Sequence, residues 1–138
     1  MRILAIDHGT VRMGIAVSDE LKMISLPLEV VPAVPFKAFL ARVREIIREK
    51  EVEQIIVGMP RNMNGTYGTS AMKVRQFIIV LKEAVAVPIM PWDERLTSAQ
   101  ANRVLDEANV SHDKRKHAVD MMAAGLLLQS YLDSLAAA

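Results

Sequence analysis

The stretch Ile3-Leu4-Ala5-Ile6-Asp7 constrains the fold of this chain more than any other. Its residues are apolar at both even and odd positions until the last, so neither face of a strand built from it can meet water. Such strands lie in the middle of a sheet that is covered on both sides. A short turn, His8-Gly9-Thr10-Val11-Arg12, leads into a second strand-like run, Met13 to Ser18. A connection that short makes the two an antiparallel hairpin. The acid that ends the first strand then needs an explanation, because a carboxylate with few water neighbours is costly unless something binds it.

The rest of the chain extends the sheet. Leu26-Pro-Leu-Glu-Val-Val31 reads as a third strand, with Pro27 suited to its start or to an edge. From Phe36 the apolar period lengthens: Phe36, Phe39, Leu40, Val43, Ile46 and Ile47 mark one face of a helix that Pro35 can open. Gln54 to Gly58 is a short buried strand. Val74, Phe77, Ile78 and Leu81 line a second helix, and Val87 to Met90 form a fifth strand. Thr97-Ser-Ala-Gln100 has capping-box spacing for a third helix carrying Val104, Leu105 and Ala108, and a last helix covers about Lys116 to Leu135. Strands separated by helices need crossovers and lie parallel. The expectation is an α/β domain with a five-stranded mixed sheet, three strands antiparallel and then two parallel, flanked by helices.

At 138 residues the chain is long enough for one domain, residues 1–138, with a proper core. A net charge of +1 argues against a strongly basic nucleic-acid glove, though not against a local patch. There are no cysteines, which excludes disulfides and Cys-type zinc sites. The opening residues lack the pattern of a secretory signal, and the apolar segment Ala118 to Leu128 is too short to span a bilayer. A cytoplasmic protein without a membrane partner is expected.

Most acids have bland explanations on helix surfaces; Asp7, Asp120 and the pair Asp93-Glu94 resist them. Asp120 is the only charge between Ala118 and Leu128, and its helical neighbours Ala123, Ala124 and Leu127 are apolar. Each acid has a plainer reading. Asp7 could begin a turn, Asp93 or Glu94 could pair with Arg95, and Asp120 could rest on the helix dipole and on Lys116 four residues earlier. Together they point elsewhere. Ligands of open α/β sheets gather beyond the carboxyl ends of the strands, where Asp7 and Glu94 emerge, and a helix crossing there would bring Asp120. Crowded carboxylates need a cation, and oxygen-only donors select Mg²⁺ or Mn²⁺. Such ions suit phosphodiester cleavage.

Four segments in order, IDHGTVRMGIAVSD, VGMPRNMNGTYG, DERLTSAQA and VDMMAAGLLLQSYLD, resemble the YqgF/RuvX family of pre-16S rRNA nucleases and Holliday-junction resolvase-like nucleases. The resemblance runs nearly end to end. It implies a ribonuclease H-like fold and a catalytic, metal-holding set of Asp7, Glu94 and Asp120, with Asp93 as the alternative to Glu94. Neighbours in extended chain point to opposite sides, so one of that pair faces the metal. His8 departs from the Tyr or Phe often found there. The resemblance also ranks substrates: structured RNA in pre-16S rRNA 5′-end maturation first, branched DNA second.

Contacts to a sugar-phosphate backbone are expected from Gly9 and Thr10 in the first turn, Arg61 and Asn62 in a long glycine-containing loop, and Arg95 beside the acids. Lys114, Arg115 and Lys116 form the densest positive run, either a phosphate-binding patch or a solvated loop. A homodimer is left open. Two other classes compete. An actin- or sugar-kinase-like protein shares the Asp-x-Gly-Thr opening but needs two related domains; a non-catalytic nucleic-acid-binding module needs no acids.

Overall fold

The apolar opening strand lies where its composition requires, at the centre of a five-stranded sheet. A computed structural model describes residues 1–60, 68–93 and 112–137, giving the backbone alone for 112–118 and 137. In chain order the elements are β1 (Arg2–Asp7), β2 (Arg12–Ser18), β3 (Ser25–Pro32), α1 (Phe36–Glu49), β4 (Val52–Met59), α2 (Thr69–Ala84), β5 (Ile89–Asp93) and α3 (His112–Ala137). The sheet order is β3-β2-β1-β4-β5. β1–β2 and β2–β3 pair antiparallel, β1–β4 and β4–β5 parallel, as the segment order predicts. The three prolines within strands, Pro27 and Pro32 in β3 and Pro91 in β5, sit on the two edges, where a missing N–H breaks no interior ladder.

The two faces of β1 serve two cores. Leu4 and Ile6 join Ile15, Phe39, Val57, Phe77 and others beneath α1 and α2. Ile3 and Ala5 join Ala16, Ile56, Ala124, Leu127 and Leu128 beneath α3. Period-two alternation therefore puts Asp7 on the α3 face, two residues beyond Ala5.

α3 is fixed against the sheet at three places. At the β3 edge, Gln129 Oε1 accepts from the Ser25 N–H at 2.9 Å, and its amide donates to the Met23 carbonyl at 3.0 Å. Over β4 and β5, Gln54 donates to the Tyr131 hydroxyl at 3.1 Å, Trp92 donates to Ser130 at 3.2 Å, and the Trp92 and Tyr131 rings meet edge to face. Between these, α3 crosses β2 at Gly14. A Cβ on Gly14 would collide with the carbonyl of Asp120 and lie 3.4 Å from the Ala124 Cβ. Glycine is thus required for the helix to come this close.

Two expectations need correction. The fifth strand runs from Ile89 to Asp93 rather than from Val87 to Met90. The Pro88 carbonyl already accepts from Ile55, and regular pairing with β4 begins only at Ile89. The last helix starts at His112, four residues before Lys116, so the positive run forms the opening of a helix and not a loop. Asp120 then lies more than two turns inside, beyond the first turn where the dipole acts. The helix expected from Thr97 lies outside the described residues.

Replacing Gly14 tests the close approach. Gly14→Ala should cost about 2–3 kcal/mol, because backbone on both sides must separate. Gly125→Ala, whose Cβ would meet the Pro27 ring at 3.2 Å, should cost much less. Urea unfolding of the two variants beside the wild type measures both.

Candidate active site

The register of the hairpin builds the site. Asp7 pairs with Gly14 across β1 and β2, a separation of about 4.5–5.5 Å between Cα atoms. Gly14 in turn touches the backbone of Asp120. The residue between the two acids has no side chain, so nothing but backbone separates the β1 position of Asp7 from the main chain of Asp120. The surrounding positions on this face, Ala5, Ala16 and Ala124, are small and buried.

A third group enters from the start of β2. Arg12, Gly14 and Ala16 alternate with Met13, Ile15 and Val17, which lie in the opposite core, so Arg12 shares the face of Gly14. Its Nε donates to Asp120 Oδ2, forming an ion pair. The partners are only partly covered, the Arg12 side chain 36% and the Asp120 side chain 25% exposed. The plainer reading of Asp120 assigned its counter-charge to Lys116, whose side chain lies outside the described residues. The sequence reading missed Arg12, although strand alternation alone aims it at the acidic face.

The turn from β1 to β2 is tight because a Cβ on Gly9 would strike the Arg12 carbonyl. Thr10 is exposed. With His8, Gly9 and Phe77 it borders a crevice of about 360 Å³ that Lys73 and Gln76 of α2 flank. His8 turns away from Asp7, its ring centroid 4.9 Å from that of Phe77. Burial, and then the charge of Lys73, lower its pKa below the ordinary 6.5.

At the end of β5 the alternation decides the face of Asp93. Ile89 belongs to the core under α1 and α2, whereas Met90 and Trp92 pack on the α3 side. Asp93 therefore returns to the α2 side, where it borders a hollow with Arg75, Ile79 and Lys82. It is on the opposite face from Asp7. Glu94, Arg95, Arg61 and Asn62 lie outside the described residues, as do the side chains of Lys114, Arg115 and Lys116. Among the described residues no three acids or histidines come together as a metal cluster. Asp7 and Asp120 are both positioned about Gly14, one by strand pairing and the other by helix packing.

With this geometry in place, the relatives are informative. A family model described as "RuvX: Holliday junction resolvase" matches residues 1–134. The chain belongs to the RuvX family. A relative from Thermoanaerobacter pseudethanolicus named "Putative pre-16S rRNA nuclease" is 47% identical over 135 residues, covering 97% of both chains. One of the same name from Desulforamulus reducens is 46% identical, covering 97% of this chain and 98% of its own.

Solved structures agree on architecture. Thermus thermophilus RuvC in complex with a Holliday junction superposes with a TM-score of 0.54 at 21% identity, covering 98% of this RuvX chain and 96% of RuvC. The fowlpox virus resolvase bound to junction DNA gives 0.60 at 14% identity, covering 98% and 99%. At these identities the likeness concerns the fold, which is ribonuclease H-like. Among the described residues no helix is long and apolar enough to cross a membrane.

His8 gives a pH prediction. Its folded pKa lies below 6.5, so the folded protein binds fewer protons than the unfolded chain between that lowered value and 6.5. The stabilisation is complete above 6.5 and is lost as pH falls through the folded value. Wild type should therefore lose more stability than His8→Phe between about pH 7.5 and about pH 5.5, measured as the shift in urea midpoint.

Proposed function

We propose that this RuvX chain is a divalent-metal-dependent nuclease, a single catalytic domain that hydrolyses phosphodiester bonds in 5′-end maturation of pre-16S rRNA in the cytoplasm. The observation that carries the reading is that Gly14 pairs with Asp7 in the neighbouring strand and touches the backbone of Asp120. Two acids positioned about one glycine beside a core of alanines offer oxygen donors that suit a hard cation. Resolvase-like nucleases generally use divalent metals. The substrate follows from the curated relatives' name.

Asp7, Asp120 and Glu94 would hold Mg²⁺ or Mn²⁺. Glu94 is preferred to Asp93 because Asp93 shares a side of β5 with Ile89, in the core under α1 and α2. The bound ions supply Lewis acidity toward water and toward the phosphate. The protein's own groups do the positioning. Gly9 keeps the β1–β2 turn narrow, so that the Thr10 hydroxyl and nearby backbone amides can meet a phosphate oxygen beside Asp7. Arg61, Asn62 and Arg95 would steady the strand near the cleaved bond, and Lys114, Arg115 and Lys116 would neutralise phosphates farther along. A homodimer would offer two such sites to a folded substrate.

A second reading, cleavage of Holliday junctions, is favoured by the family description and by the fold shared with RuvC. One experiment separates them. Purified protein is given pre-16S rRNA 5′ precursor and a four-way DNA junction, with Mg²⁺, with Mn²⁺ or with EDTA. Metal-dependent cutting of the RNA is expected, lost in EDTA and reduced at least about a hundredfold in Asp7→Asn, Glu94→Gln and Asp120→Asn. Preferential cutting of the junction would select the second reading, and equal cutting by wild type and Asp7→Asn would overturn both.

A further inference from the structure

The ion pair of Arg12 with Asp120 is a close charge contact on the α3 face, delivered by the alternation of β2. We propose that Arg12 is a placeholder counter-ion: it neutralises Asp120 while the acidic site is empty of metal and yields that carboxylate when a divalent cation arrives. This rests on the reading of Asp7 and Asp120 as a metal-holding pair.

The geometry around Gly14 supports it. Asp7 is opposite Gly14 in the neighbouring strand, Asp120 lies above Gly14 on α3, and Arg12 is two residues before Gly14 on the same strand face. Two negative groups and one positive group thus surround a single backbone position. The tight packing of α3 on β2 keeps the Asp120 backbone beside Gly14 whether or not an ion is present, so the two acids stay on neighbouring positions. Without metal, a cation from the chain itself reduces the repulsion between them. Arg12 suits the part because it enters from the rim of the site, at the turn that Gly9 narrows, with a third of its side chain exposed. A guanidinium in that position can swing toward water without disturbing the core. A buried partner could not.

The contact could instead be an ordinary surface pair, which contributes little to stability and nothing to metal binding. The two cases differ in how they affect affinity for a cation. A placeholder competes with the metal for Asp120 and repels it, so removing the placeholder destabilises the metal-free protein and tightens metal binding. A surface pair leaves affinity unchanged. A residue that merely aims Asp120 at the metal would weaken binding when removed.

The test is manganese binding to the full chain without nucleic acid, read from the paramagnetic resonance signal of free Mn²⁺, together with thermal unfolding in EDTA. Arg12→Met should unfold at a lower temperature than wild type in EDTA and bind Mn²⁺ about three- to tenfold more tightly, the scale of a partly exposed charge interaction. Arg12→Lys, which keeps the charge, should bind within about twofold of wild type. Unchanged or weaker Mn²⁺ binding by Arg12→Met overturns the proposal. If Arg12→Met does not fold, Arg12→Gln, which retains an amide donor, is judged by the same criterion. Asp7→Asn distinguishes this failure from that of the underlying reading. Lost Mn²⁺ binding in Asp7→Asn with no tightening in Arg12→Met rejects the placeholder alone, whereas wild-type binding by Asp7→Asn rejects the acidic metal site itself.

Discussion

Everything on the α3 face depends on a hydrogen atom where other residues have a side chain. Gly14 lets the backbone of α3 touch β2, and a Cβ there would occupy the space of the Asp120 carbonyl. Because β2 pairs with β1 in a register that sets Gly14 opposite Asp7, this one approach brings to neighbouring positions the main chains of two acids that are more than a hundred residues apart in the sequence. The contacts of Gln129 with β3 and of Tyr131 and Ser130 with β4 and β5 then fix the direction of the helix that carries Asp120.

The two faces of the sheet divide the labour. Beneath α1 and α2 the core is built from large side chains, with three phenylalanines in mutual contact and His8 packed on one of them. Beneath α3, near the acids, it is built from alanines and one glycine. Large residues give stability, and small ones give proximity. Arg42 of α1 adds a tie to the outer strand, its Nε donating to both oxygens of Glu29 at 3.0 and 3.1 Å. That tie is remote from the acids and belongs to the framework.

Much of this was legible in the residues. The doubly apolar run before Asp7 places β1 at the sheet centre, and the apolar neighbours of Asp120 place it on a packed helix face; both follow from burial alone. The segment order yields the antiparallel and parallel pairings because crossover length dictates them. The misplacements lie where local pattern and tertiary pairing disagree. Val87 is apolar and strand-like, yet the ladder with β4 begins only at Ile89. The run from His112 is polar and reads as loop, but its backbone continues the helix that the following apolar stretch anchors. The partnership of Arg12 with Asp120 joins residues 108 positions apart. Alternation predicts its face, but no local pattern predicts its partner. The same alternation assigns Asp93 to the α2 side, a distinction that residue types cannot make.

The central claim is that these two distant acids share a cation. The most direct measurement is a crystal structure of the protein grown with Mn²⁺ and recorded at the manganese absorption edge. The account predicts an anomalous peak within about 2.4 Å of a carboxylate oxygen from both Asp7 and Asp120, or a pair of peaks bridged by them. A peak elsewhere, or carboxylates too far apart to share an ion or a bridged pair, would contradict it.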